Sequence, residues 1–333
     1  MLTRRCHLLL AFIALVVCLD PFSLVSVADA EQPIAPRRVG FLVVGFSPED
    51  KEARAFQEGL RDAGYAEGRD IVVESRFANG DIDRVPELVA DLIKSKVDVI
   101  VVDSTPGTVA AKRATSTIPI VMTTVADPVG SGLVANLAHP GANVTGLTIM
   151  TAELSAKRLQ LLKEVIPKLR RVAVLWNPDT LYHPKVIREL KAAASSLSIE
   201  LSLADAKALA QLSPAFSKMR RAHAQAVYVI EDGVFVAHRA AILELAANAR
   251  LPAIFAQARV VEEGGLISYG PSWVDLYRQS AGYVDKILKG AKPADLPVQQ
   301  PNRYQLTVNL RTARALGVTI PESVLLRADE VIR

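Results

Sequence analysis

Short, unbroken apolar runs that alternate with amphipathic helical patterns constrain this chain more than any other feature. The runs fall at 39–44, 71–73, 99–102, 118–122, 172–176, 227–230, 253–255 and 266–268. Continuous apolar strands of this length suit a parallel sheet covered on both faces, where no side of the strand meets water. Between them, Val85, Leu88, Val89, Leu92 and Ile93 recur at helical spacing, and Ala53, Phe56 and Leu60 share one helix face that Gly64 can end. Strand–helix alternation of this kind predicts a doubly wound α/β architecture.

The alternation occurs twice, so 333 residues divide into two lobes rather than one large sheet. The expected first lobe comprises residues 37–146 plus a returning helix at 271–290. The second comprises 147–270 plus the tail 291–333. Glycine and proline at the seams place the moving crossovers near 146–150 and 269–272, so that the lobes close on a bound molecule.

Residues 1–30 read as a cleaved secretory signal. Arg4 and Arg5 precede an uncharged apolar stretch, and Ala28-Asp29-Ala30 offers the small residues a signal peptidase reads, with cleavage near Ala30. About a dozen apolar residues are too few to span a bilayer. Cys6 and Cys18, the only cysteines, both lie in this segment, which leaves the exported chain without a thiol nucleophile or disulfide. The 39 Lys and Arg against 35 Asp and Glu are scattered in short pairs, and no basic footprint for nucleic acid forms.

In open α/β sheets the chemistry gathers at the carboxyl ends of the strands. There the chain repeats one device: Ser47-Pro48, Thr105-Pro106, Asp127-Pro128 and Asn177-Pro178 each join a capping residue to proline. Four helix N-termini started this way would aim free N–H groups into one cleft, an anion-binding arrangement. Glu231-Asp232-Gly233 ends a very apolar run and should open onto the same cleft, whereas Glu262-Glu263 reads as a solvated pair. No glycine-rich phosphate loop or Gly-x-Ser-x-Gly elbow is present, and the histidines at 139, 183, 223 and 238 read as isolated surface or capping residues. These features predict no cofactor, no metal and no catalysis. The competing enzyme reading, a secreted α/β hydrolase, would need Ser104 or Ser131 with a histidine and Asp127 or Asp232.

The chain resembles the periplasmic substrate-binding proteins of ABC transporters, in the tryptophan/tyrosine-type branch. The resemblance rests on Val39-Gly40-Phe41-Leu42, Phe56-Gln57-Glu58-Gly59-Leu60, Asp127-Pro128-Val129, the run 140–146, Ala156-Lys157-Arg158-Leu159, Asn177-Pro178 and the run 264–270. It implies a type I periplasmic-binding fold, an ABC permease as membrane partner, a periplasmic location and a monomer. A ligand-sensing module for a membrane receptor would carry the same sequence features. Carried over by position, the ligand would be lined by Phe46, Ser47, Ser104, Thr105, Thr123 and Thr124 from the first lobe. Trp176, Asn177, Asp232 and Tyr269 would face them, with the Thr105 helix start taking a carboxylate, Asp232 an ammonium, and Phe46, Trp176 and Tyr269 covering an apolar body. At 256–260 the chain departs from the branch's usual Gly-Ser-Arg-Glu-Phe-like stretch and reads Ala-Gln-Ala-Arg-Val.

Overall fold

The computed structural model describes residues 35–333; the signal-segment expectation lies outside the described residues. Strands β1 (Arg37–Val43), β2 (Ile71–Phe77), β3 (Val99–Val102), β4 (Ile120–Val125) and β5 (Val144–Thr148) form one parallel sheet in the order β2-β1-β3-β4-β5. Strands β6 (Arg171–Trp176), β7 (Glu200–Asp205), β8 (Ala226–Val229), β9 (Ala253–Phe255), β10 (Ile267–Gly270), β11 (Gln305–Asn309) and β12 (Glu330–Ile332) form a second, ordered β12-β11-β10-β9-β8-β6-β7. Within it only β10 and β11 run antiparallel. The first five strands of each sheet therefore follow the same plan, with strand order reversing beside β1 and β3 in one lobe and beside β6 and β8 in the other. Ligands of such sheets sit at the carboxyl ends flanking that reversal.

Helices α1 (Lys51–Asp62), α2 (Val85–Lys94) and α3 (Thr105–Ala114) cover the first sheet. In the second lobe lie α4 (Thr151–Val165), α5 (His183–Ser196), α6 (Leu209–Arg221), α7 (Gly233–Ala237), α8 (Arg239–Asn248) and α9 (Ala258–Glu262). Helix α10 (Trp273–Leu288) returns to pack on α1, β3 and β4, and the short α11 (Leu310–Leu316) and α12 (Glu322–Leu325) finish the second lobe. The helix face read from Ala53, Phe56 and Leu60 is buried as expected, with Phe56 stacked at 4.5 Å on Phe41 of β1. Gly59 lets α1 and α10 touch, because a Cβ there would strike the Arg278 carbonyl. One apolar cluster runs without interruption from Phe41 and Val101 of the first sheet to Val174 and Tyr228 of the second.

The chain crosses between lobes three times: after β5, after β10, and between Gln299 and β11. Met150, at the first crossing, holds a left-handed φ of 53°. Gly146, placed near a hinge by sequence, instead lies inside β5 at φ 127°, where any Cβ would collide with the Met122 backbone. The tail had been expected to join the second lobe from residue 291 onward. Residues 294–299 instead bond along the first: Ala294 and Leu296 carbonyls accept from Gly141 N and Thr145 Oγ1, and Gln299 pairs with β5. Val298 fills an apolar gap beside Leu137, which explains the detour.

Candidate functional site

The two reversal points face one another across a small compartment. The first lobe contributes Gly45, Asp103, Ser104, Thr105 and Thr124; the second contributes Tyr182, Glu231, Asp232 and Val236, with Ile149 and Trp273 at the crossovers. Four of the ten residues expected at the site therefore meet here: Ser104, Thr105, Thr124 and Asp232.

Ser104 follows β3 and caps α3, accepting from Gly107 N at 3.2 Å while its own N–H donates to Thr124 Oγ1 at 3.3 Å. It holds φ 63°, a costly conformation for a serine, and such strain gathers at ligand-binding positions. Thr105 Oγ1 accepts from Ala126 N. Of the four proline-marked helix starts, only this one opens a helix directly. Helix α1 begins at Lys51 behind Asp50, whose carboxylate accepts from Ser47 N; Asp127 accepts from Gly130 N in a turn; and α5 waits until His183. Short Asp and Asn side chains satisfied the local N–H groups as turns rather than caps. The picture of four helix ends aimed at one cleft thus reduces to one.

The other expected residues stand behind the compartment. Phe46 is buried edge-on beneath Trp273 and Tyr277, both centroids at 5.8 Å, and Thr123 is fully buried. Ser47 is tied to Asp50. Trp176 packs half-buried against the core, and Tyr269 stacks on Tyr304. Asn177 supports Asp232 from the rear through Nδ2, at 3.3 Å.

Asp232 is heavily engaged by its own protein. Its carboxylate accepts from Thr180 Oγ1 at 2.6 Å, from Val234 N at 3.0 Å as the α7 cap, and from Asn177. Glu231 beside it is the opposite case. It is 5% exposed and forms a buried ion pair with Arg158, whose Nη1 lies 2.7 Å from Oε1. Beyond that ion pair, no well-aligned hydrogen bond reaches Glu231 Oε2 or leaves Arg158 Nη2. Burial pushes the Glu231 carboxyl above its ordinary range while Arg158 pulls it back. Arg158 also donates through Nε to the Tyr269 carbonyl at 2.6 Å. In the first lobe Asp103 is fully satisfied, accepting from Val44 N at 2.6 Å, Gly45 N and Tyr277 Oη at 2.8 Å; burial nonetheless raises its carboxyl to about 6.

His183, read from sequence as a surface or capping residue, is fully buried behind Asp232. Its Nδ1 accepts from Asn177 N, which leaves Nε2–H to donate to the Glu231 carbonyl at 2.9 Å. Burial lowers its pKa, keeping the ring neutral. Tyr182 Oη donates to the same carbonyl. Asp103, Glu231, Tyr182, Arg158 and Trp273 were thus missed as site residues; Glu231 alone had a signal, its place at the end of an apolar run.

A second, apolar compartment adjoins the first through Glu231, Asp232 and Val236. Phe235, Ile242, Phe255 and Val260 form its walls.

Ion pairs border the cleft on both edges. On one, the start of α1 meets α8 and α9: Arg259 holds Asp50, Glu52 (2.7 Å) and Glu263; Arg239 holds Asp50 and Glu263 (2.8 Å); Lys51 holds Glu262 (2.6 Å). Glu262 and Glu263 are exposed, as expected of a solvated pair, yet each also holds a cation: Glu262 that of Lys51 from the opposite lobe, Glu263 those of Arg239 and Arg259 from its own. On the other edge Lys185 alone reaches Asp127 at 3.0 Å and Glu153 at 3.6 Å. Among the described residues no acidic or histidine cluster could hold a metal ion, and no helix is long and apolar enough to cross a membrane.

Comparison with known proteins agrees with the two-lobe fold. The chain is 27% identical over 269 residues to a tyrosine-binding protein of Clostridioides difficile strain R20291, covering 81% of this chain and 77% of that one. The structure of an ABC domain in complex with L-Trp from Streptococcus pneumonia superimposes with a TM-score of 0.83 at 26% identity, over 90% of this chain and 100% of that one. The ligand-free, open structure of a substrate binding protein with adhesive properties from Clostridium difficile, also 26% identical, gives only 0.63 over 89% and 99%. At equal identity and coverage, the present lobe arrangement is nearer the ligand-bound relative than the open one. The pattern described as ABC transporter substrate binding protein matches residues 43–332, and the chain belongs to that family.

Proposed function

We propose that this protein is an exported, monomeric solute-binding protein that closes on a small amine-bearing metabolite, an amino acid or close relative, and presents it to an ABC permease. The observation that carries the reading is Glu231, a buried carboxylate in the wall of the cleft whose one charged partner is Arg158 at 2.7 Å. A single cation leaves a buried carboxylate with acceptor capacity to spare, and a ligand ammonium would use it. Asp232, whose own donors already fill it, positions the wall rather than binding the ammonium. Across the cleft, the hydroxyls of Ser104 and Thr105 at the start of α3 and of Thr124 on β4 suit a carboxylate.

The two relatives whose ligands are named, tyrosine in one and L-Trp in the other, support an amino acid. A charge-assisted bond is worth roughly 1.5–3 kcal/mol, and micromolar affinity needs about 8 kcal/mol, so head group and body must both be held. Export rests on the residues 1–30 pattern and the family's transport role.

Native mass spectrometry of protein purified from the exported fraction should reveal a bound small amine on a chain beginning near Glu31. Glu231→Gln should weaken that ligand by at least tenfold in titration calorimetry. Unchanged affinity, or a ligand with no amine, overturns the reading.

A further inference from the structure

Helix α7 follows Asp232 directly and lies in contact with the first lobe. A Cβ on Gly45, just past the end of β1, would stand 3.0 Å from Cβ and Cγ1 of Val236 and 3.2 Å from the Gly233 carbonyl oxygen. A Cβ on Gly80, just past the end of β2, would stand 2.5 Å from Ala237 Cβ. In return, a Cβ on Gly233 would reach Val44 Cγ1 at 3.0 Å. Gly80 needs glycine for its own φ of 80°, but Gly45 has no left-handed φ, and the atoms nearest to it all belong to the opposite lobe. The first-lobe half of this seam is braced from within: Asp103 accepts from Val44 N at 2.6 Å and from Gly45 N, and Gly80 N donates to the Val44 carbonyl at 2.7 Å. Val44 and Val236 are 0% and 6% exposed, and Ile82 packs on apolar clusters of both lobes.

We infer that α7 is the face on which the lobes shut, and that Gly45 is a positioning residue for capture: its missing side chain lets the end of β1 rest on Val236 and so sets how far the cleft closes. This rests on the closing solute-binding reading above and adds to it a contact made by protein alone. Asp232 accepts from Val234 N at 3.0 Å, so the turn that carries Glu231 toward the ligand and the residues that meet the other lobe move as one piece. When the lobes part, Val44, Val236 and Ile82 meet water, and their burial favours the shut form whatever the ligand. A seam packed this closely does not absorb an added methyl without shifting, so a Cβ at position 45 or a larger side chain at 237 acts as a wedge. Ala237 lines neither compartment, which separates its wedge from the ligand's own contacts.

A disulfide trap tests the seam without any ligand. Cys6 and Cys18 both precede residue 31, so the exported chain offers no thiol to compete with a pair introduced as Val44→Cys and Gly233→Cys. Val44 Cβ lies 3.7 Å from the Cβ position of residue 233, inside the range of about 3.5–4.5 Å that a disulfide spans. The pair should oxidise to one intramolecular disulfide in the full exported chain. In that background Gly45→Ala and, from the other side of the seam, Ala237→Phe should each slow the oxidation by about tenfold while leaving the melting of the reduced protein unchanged, because each wedge meets only the opposite lobe. A reduced pair that melts with the wild type is folded; were it to melt lower, Gly45→Cys with Val236→Cys, whose Cβ positions lie 3.0 Å apart, makes the same test with the Ala237→Phe wedge. No disulfide in either folded pair, or a rate that the wedges leave unchanged, overturns the inference. If the trap forms and responds while Glu231→Gln binds as tightly as wild type, the seam stands and the amine reading falls; if the trap fails while Glu231→Gln loses its ligand, the reverse holds.

Discussion

The two edges of the cleft are built unequally. Along the edge where α1 meets α8 and α9, seven charged side chains interlock, and the innermost are nearly out of water: Glu52 is 3% exposed and Asp50 8% in their side chains. Along the opposite edge Lys185 is 36% exposed and works alone. Buried pairs that lose one partner cost several kcal/mol, whereas exposed pairs contribute at most about 1 kcal/mol. The shut form is therefore secured on one side and merely touched on the other.

The sharpest test of that difference is Arg259→Ala. Opening hydrates Asp50 and Glu52, so the substitution penalises the shut form selectively, and ligand affinity should fall about a hundredfold, equivalent to ~3 kcal/mol. Small-angle scattering should show less contraction at the same ligand concentration. An affinity within threefold of wild type would erase the distinction between the edges.

Asp103, on the cleft floor between them, provides a pH test of whether the floor or the edges govern stability. Its folded pKa of about 6 stands above the ordinary carboxylate value, so the stabilisation from its proton is complete near pH 4 and disappears as pH rises through 6. Melting across pH 4–7 should show a decline of up to about 3 kcal/mol that Asp103→Asn abolishes. A decline that survives in the variant would assign it elsewhere.

The smallest effect is expected for Lys185→Ala. Removing an exposed pair should change affinity less than about fivefold, and 1 M salt should mask even that. A loss as large as that of Arg259→Ala would make the edges equivalent.

The doubled α/β plan was legible because strands covered on both faces must be apolar throughout, and 39–44 or 227–230 admit no other reading. The position of the cleft was legible for the same reason, since Glu231-Asp232-Gly233 interrupts such a run at its carboxyl end. Choosing between the two carboxylates was not. The choice depends on Thr180 and Asn177, some fifty residues away, saturating one with hydrogen bonds while the other has the Arg158 ion pair. Arg158 was hidden too: the run Ala156-Lys157-Arg158-Leu159 marks the family without assigning the arginine a place, and only the packing of α4 against β10 puts it at 1% exposure. The aromatics were misjudged because Phe46 faces inward under Trp273, a residue whose helix reaches the site only by returning from the far lobe.

That return sets a timetable for the molecule's assembly. The first sheet lacks the covering of α10 over β3 and β4 until residue 288 has been made, and its edge remains bare until Gln299 arrives. The earliest strands therefore wait for almost the last ones. A nascent or truncated chain ending after β10 holds all the strands of the first sheet yet exposes Val99, Val101 and Val121, the residues α10 would shelter. Such non-local dependence slows folding and prolongs the interval in which sticky surface is available to chaperones or to aggregation.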